Sequence, residues 1–204
     1  MAVLVCDPNV EDRIRAEREA NGLDLWDEVW EGIYVMAPIP NDQHQELATR
    51  LATILQAVLG WSEEAKVRAG TNVSDREAGW EHNYRCPDVA VFMKNTRAKN
   101  CETHWMGGPD FTVEIVSPKD RSRQKLEFYA SLGVRELLII DRYPWSIELY
   151  RLDGGKLADA DKSTMSDSEV LVSQVVPLSF RLVAGGVRPN IEVTHRDGVQ
   201  KWLV

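Results

Sequence analysis

Leu47, Leu51, Ile54, Leu55 and Val58 recur at spacings of three and four through "PNDQHQELATRLATILQAVLG", and this stripe predicts the clearest helix of the chain. Asn41 or Asp42 can cap its start and Gly60 ends it. A shorter polar helix is expected over 10–21, stopped by Asn21-Gly22, a pair suited to a left-handed cap. "LWDEVWEGIYVMAP" reads as two short strands around a Glu31-Gly32 turn. A strand near 65–71 and the polar turn "SDREAGWEHN" lead into "YRCPDVAVF", a strand with Pro87 near its entry, where a missing donor is tolerated. After the loop "MKNTRAKNCETHWMGGP" comes the alternating run "FTVEIV", then a helix from near Pro118-Lys119 to Gly133. "VRELLIID" predicts a fully buried strand, with a turn at "RYP" and a further strand "WSIELYRL". Beyond Asp153-Gly154-Gly155 the periodicity weakens; short strands near 169–172 and 178–183 and a terminal hairpin at Asp197-Gly198 complete the expectation.

This order predicts a mixed α/β or α+β domain, a central sheet flanked by helices. With 204 residues and no repeat, linker or low-complexity tract, residues 1–204 are expected to form one domain. Hydrophobic content of 44% and charged content of 27% fit an ordinary soluble globular chain. No apolar run approaches the roughly 20 residues that span a bilayer. "MAVLVCDPNVEDR" has neither a basic opening nor a long hydrophobic region, so no secretory signal and no membrane partner are expected. Cys6, Cys86 and Cys101 are too few and odd in number for a disulfide framework, which favours a cytoplasmic location. A net charge of −8 argues against sequence-independent coating of nucleic acid. Two basic clusters, Lys94/Arg97/Lys99 and Lys119/Arg121/Arg123/Lys125, leave room for one locally positive face, or are simply solvated.

Chemistry enters with Glu114, a carboxylate in the middle of an apolar strand, where an unpaired charge costs several kcal/mol. Asp88 repeats the oddity ahead of Val89–Ala90–Val91–Phe92. If the two strands are neighbours, their acids can converge on a hard cation, because Mg²⁺ is held by one or two carboxylates plus waters and phosphate oxygens. The backbone carbonyl of Ile115 could add a ligand. Lys125 shares a helical face with Ser122, Phe128, Tyr129 and Leu132. It either orients an attacking water and stabilises phosphoryl charge, or snorkels to solvent.

"CPDVAVF", then "FTVEIVSP", then "DRSRQKLEFYASLGVRELLIID", with "VWEGIYVMAPIPNDQHQEL" before them, resemble the PD-(D/E)XK nuclease superfamily. More closely, they resemble its Uma-type restriction endonuclease family, long a domain of unknown function. The likeness covers about 24–183 and makes the N-terminal helix and C-terminal hairpin extensions. It implies a restriction-endonuclease-like fold, a Mg²⁺ or Mn²⁺ site and hydrolysis of DNA. Asp88 and Glu114 would fill the two acid positions and Lys125 the lysine. The superfamily's usual lysine, two residues after the second acid, is here Val116; the Uma-type pattern moves it to the following helix. His44 is either a hydrogen-bonded core histidine or the edge of the metal site, and Glu31 either a turn residue or a further acid there. A zinc reading of His82, Cys86, Cys101 and His104 is set aside, because their order is no common zinc pattern. No serine-hydrolase or phosphate-loop motif occurs. The seven tryptophans suit core and interface anchoring more than base stacking. The main expectation is a Mg²⁺-dependent endonuclease, compatible with a homodimer; the rival is an inactive nuclease fold that binds nucleic acid or protein.

Overall fold

The computed structural model describes residues 3–5, 7–117 and 121–204. Helix α1 (Pro8–Ala20) ends as Asn21-Gly22 predicts. Gly22 has φ +64, its N–H donates to the Glu19 carbonyl at 3.0 Å, and Leu23 N–H donates to the Arg18 carbonyl at 2.9 Å. The aromatic run that follows forms strands Glu28–Trp30 and Ile33–Met36, joined by Glu31 and Gly32, both at positive φ as a tight hairpin turn requires. Helix α2 (Asp42–Leu55) is capped by Asn41, whose side chain accepts the His44 N–H at 3.0 Å. A π turn over Gln56–Gly60 then slides the phase by one residue, so that Leu59 rather than Val58 is buried.

Among the described residues, three sheets assemble around these helices. The central one has six strands in the order Lys156–Thr164, Trp145–Asp153, Glu136–Arg142, Phe111–Ile115, Val89–Met93, Ala65–Ala69. All neighbours are antiparallel except Phe111–Ile115 and Glu136–Arg142, which run parallel. A parallel pair needs a crossover. That crossover carries a 3-10 turn (Ser122–Lys125) and helix α3 (Leu126–Ser131), stopped at Gly133 with φ +80. The sequence predicted one helix from Pro118-Lys119; residues 118–120 lie outside the described residues, and the segment after them begins as the tighter turn. "YRCPDVAVF" divides at Cys86-Pro87: Tyr84–Arg85 joins the N-terminal sheet and Val89–Met93 the central one. Strand Lys156–Thr164 had no sequence signal, since a sheet edge does not demand apolar residues.

One face of the central sheet packs against α2 and a four-stranded C-terminal sheet that includes the hairpin Asn190–His195/Lys201–Leu203, joining Leu47, Leu51, Phe111, Val113, Ile115, Phe180 and Val193 in one core. The other face packs Ala90, Phe92, Leu137 and Ile139 against Tyr129 and Ala130 of α3. No helix among the described residues is long and apolar enough to cross a membrane.

Leu51 is 1% exposed where α2 meets the sheet. Leu51→Ala is expected to cost about 2–5 kcal/mol of stability, by lost transfer energy plus a residual cavity. Urea denaturation measures this, and a loss below about 1 kcal/mol would mean the site collapses around the smaller side chain.

Candidate active site

Period-two alternation sends Phe111, Val113 and Ile115 to the α2 side of the sheet and Thr112, Glu114 and Val116 to the α3 side. Glu114 is 3% exposed and must be satisfied by what α3 and its approach bring over it. Lys125 Nζ donates to both of its oxygens at 3.0 Å, Tyr129 OH donates to Oε1 at 2.5 Å, and Ser122 Oγ lies 3.5 Å from Oε2. The same ammonium stands 2.8 Å from Oε1 of Glu28, which belongs to the N-terminal hairpin. Glu28 in turn accepts from Trp30 Nε1 at 2.7 Å and from the Cys86 N–H at 2.9 Å. Burial pushes the Glu114 carboxyl well above its ordinary value; Lys125 pulls it back, while the charges of Asp88 and Glu28 add to the rise. Burial likewise raises the Cys86 thiol, which removes it as a nucleophile.

Asp88 stands at the entry of strand Val89–Met93, which pairs antiparallel with the Glu114 strand. Its Oδ2 accepts the backbone N–H of Ile115 at 2.7 Å, and its Oδ1 lies 2.7 Å from His44 Nε2. The other ring nitrogen of His44 is 3.4 Å from Ser117 Oγ. His44 is thus the buried, hydrogen-bonded histidine of the first sequence reading, and it lies beside Asp88.

One cavity gathers these groups. Glu28, His44, Asp88, Glu114, Ile115, Ser117, Arg121 and Lys125 line it, with an apolar wall from Trp26, Trp30, Val35, Ala37, Pro38 and Pro40 opposite. Of the sequence candidates, Glu31 alone stays outside. It is exposed on its turn at φ +51 and lines a neighbouring groove with Asp75 and Glu127. Glu28, three positions earlier, holds the inner place instead. Its sequence signal was diluted, because "DEVWEGIYV" carries three acids, Asp27, Glu28 and Glu31, among its branched and aromatic residues.

The expected positive face is largely neutralised. Lys94 pairs with Glu64 at 3.8 Å, Lys99 with Glu77 at 2.6 Å, Arg123 with Asp141 and Glu148 at 3.0 Å, and Lys125 with two acids; Lys119 lies outside the described residues. His104 donates to the Arg76 carbonyl at 3.0 Å and stacks on Trp80, away from Cys86 beside Glu28. Among the described residues no three His, Cys, Asp or Glu side chains are close enough to hold an ion unaided. A hard divalent ion does not require that, since Mg²⁺ takes one or two carboxylates and completes its shell with waters. The donor set suits it: all-oxygen ligands on Asp88, Glu114 and the Ile115 carbonyl, beside a cavity of about 90 Å³. At about 30 Å³ of liquid volume per water, that space admits a few waters beside an ion.

A family profile described as "Uma2: Putative restriction endonuclease" matches residues 24–184. No curated protein matches the chain. Among solved structures, the crystal structure of "a putative nuclease belonging to DUF820" from Anabaena variabilis is similar, with a TM-score of 0.56 at 18% sequence identity. The match covers 72% of this chain and 80% of that one, and shows a shared fold.

The buried triad yields a pH-dependent prediction. Because burial raises the folded value of Glu114, its ionisation costs stability as pH climbs past the ordinary 4.5, and Lys125 offsets that cost. Lys125→Met is therefore expected to lose about 3–5 kcal/mol near pH 8 and less than half of that near pH 5, where the carboxyl takes a proton. Urea denaturation at both pH values reads the difference. Equal losses would show that the ammonium does not compensate the carboxylate.

Proposed function

The chain belongs to the Uma2 family, described as putative restriction endonucleases, and on that footing we propose that it hydrolyses DNA phosphodiester bonds as an endonuclease dependent on Mg²⁺ or Mn²⁺. The observation that carries this reading is that Asp88 and Glu114, from neighbouring antiparallel strands, line a single cavity with Lys125 at hydrogen-bond distance from Glu114. Asp88 and Glu114 would hold the ion, with the Ile115 carbonyl as a third oxygen. When bound, such an ion lowers the pKa of a coordinated water and neutralises charge on the phosphate under attack. The chain's own groups do the rest. His44 fixes the orientation of the Asp88 carboxylate through Oδ1, and the Ile115 N–H fixes it through Oδ2. Lys125 orients the attacking water or stabilises the pentavalent phosphate, the work an on-strand lysine does where this chain has Val116. Glu28 sets where the ammonium sits. Arg121, on the cavity rim, is available to a phosphate oxygen.

One observation favours the rival from another class, an inactive nuclease fold serving as a nucleic-acid-binding or interaction module. Lys125 already faces three carboxylate oxygens, two of Glu114 and one of Glu28. An ammonium has three protons to donate. Calorimetric titration with Mn²⁺ separates the two: the enzyme binds the ion and Asp88→Asn abolishes binding, whereas the scaffold shows no such loss.

Cleavage is tested by incubating single- and double-stranded DNA with the protein and Mg²⁺ or Mn²⁺, beside Glu114→Gln. The wild type is expected to nick or degrade at least one substrate and the variant to fall at least about 100-fold, the scale on which outer partners alone already act in metal sites. Equal cleavage by both, or none with any metal, overturns the proposal.

A further inference from the structure

The cavity has two unlike walls, and the second has no part in the hydrolysis described above. One wall carries Asp88, Glu114 and Lys125, reached by Glu28 from the N-terminal hairpin. The other is Trp26, Trp30, Val35, Ala37, Pro38 and Pro40, from the N-terminal hairpin and the segment entering α2. Next in sequence to residues of that wall, two large apolar side chains stand in solvent, Ile39 at 68% exposure between Pro38 and Pro40 and Leu25 at 72% before Trp26. Exposed apolar groups clustered at a site mark a surface that something covers.

Electrostatics narrows what that is. Duplex DNA carries one negative charge per about 1.7 Å of axis, and proteins bind it largely by neutralising phosphates with lysine and arginine. This cavity offers two such cations, Arg121 and Lys125, against three carboxylates, Glu28, Asp88 and Glu114. Lys125 is already committed to two of those acids, and the chain as a whole is at −8. Lys94, Lys99 and Arg123 of the two basic clusters are paired with acids as well. A bound ion at the acids would add charge for one phosphate, not for a helix of them. Affinity must then come from the apolar wall, and the part of a nucleic acid that apolar and aromatic side chains take is the face of an unpaired base. In a duplex those faces are stacked and closed. The cavity, about 90 Å³, opens to the surface, so a base would meet the apolar wall at its mouth.

We infer that the cleft is built for an unpaired strand, the phosphate lying on the carboxylate wall and the adjoining base on the Trp26–Pro40 wall, with Ile39 and Leu25 at its lip. This deepens the nuclease reading by naming its substrate class as single-stranded or locally unpaired DNA, and rests on that reading for the phosphate's position. A duplex would be cut where it breathes, at a bubble or a flap, with Ile39 acting as an apolar wedge.

The test uses binding, which does not need catalysis. Fluorescein-labelled 20-mers, single-stranded oligo-dT and a mixed-sequence duplex, are titrated with the full chain in Ca²⁺ and read by anisotropy. Single strands are expected to bind at least about tenfold tighter, with a log–log salt slope below about 2 in magnitude, because few phosphates are neutralised. Ile39→Asp, at an exposed position that leaves folding intact, is expected to weaken oligo-dT binding about tenfold, as removal of one stacked base contact does, with little change for the duplex. Equal or tighter duplex binding, a steep salt slope, or an indifferent Ile39→Asp overturns the inference. Cleavage of single-stranded, duplex and bubble DNA in Mn²⁺ is run in parallel. No cleavage of any of them, with the strand preference intact, defeats the nuclease reading and leaves this one standing.

Discussion

Everything around the cavity answers to one arrangement, the Lys125 ammonium shared by the carboxylates of Glu28 and Glu114. Removing two carboxylates and an ammonium from water costs several kcal/mol per ion, and one cation leaves a net negative charge behind. The chain therefore surrounds the acids with donors: Tyr129 and Ser122 on Glu114, Trp30 and the Cys86 amide on Glu28. Such a group of charges is poor material for stability, since a hydrophobic replacement of equal volume would serve as well or better. Under the proposed function, the same group of charges is where a cation would enter. The rise that burial and neighbouring acids impose on Glu114 would be relieved by such a positive charge.

The sheet topology explains why that lysine sits on the crossover. Val116 continues the alternation of the Glu114 strand, faces the α3 side and packs in the apolar cluster with Tyr129, Ala130 and Val134. Because Phe111–Ile115 and Glu136–Arg142 run parallel, the connection between them must cross over that same face. A side chain hung from its first turn reaches Glu114 from above, where an on-strand side chain would reach it from the flank. Glu114 and its lysine thus meet through topology, eleven positions apart in sequence.

How much of this was legible follows from the range of each signal. The α2 stripe, the Asn41 cap and the hairpin of 28–36 depend on residues a few positions apart, and they formed where the sequence placed them. Asp88, Glu114, Lys125 and His44 stood out as polar groups in apolar settings, and they border one cavity. Glu28 was hidden by company: it lies in a stretch with eight acids between 11 and 31, and only the fold shows it to be buried while Glu31 is exposed. Strand Lys156–Thr164 was invisible because its polar edge pattern resembles a loop. The change from Val58 to Leu59 came from a π turn that shifts the helical phase without altering its composition.

A lysine that must hold its ammonium between two acids also needs a backbone that does not drift, and a short 3-10 turn is weak in itself. The turn is tied down two residues earlier. Arg123 forks onto Glu148 at 3.0 and 3.1 Å and reaches Asp141 at 3.0 Å, so it grips both strands that follow the crossover. Burial alone would push the Glu148 carboxyl up; Arg123, Lys162 and Tyr150 together hold it down at about 2. That acid stays ionised across the range in which proteins are ordinarily stable, so the grip does not loosen with pH. The charged groups of this face therefore divide their labour. Glu148 and Asp141 fix the turn through Arg123, while Lys125 answers to Glu28 and Glu114.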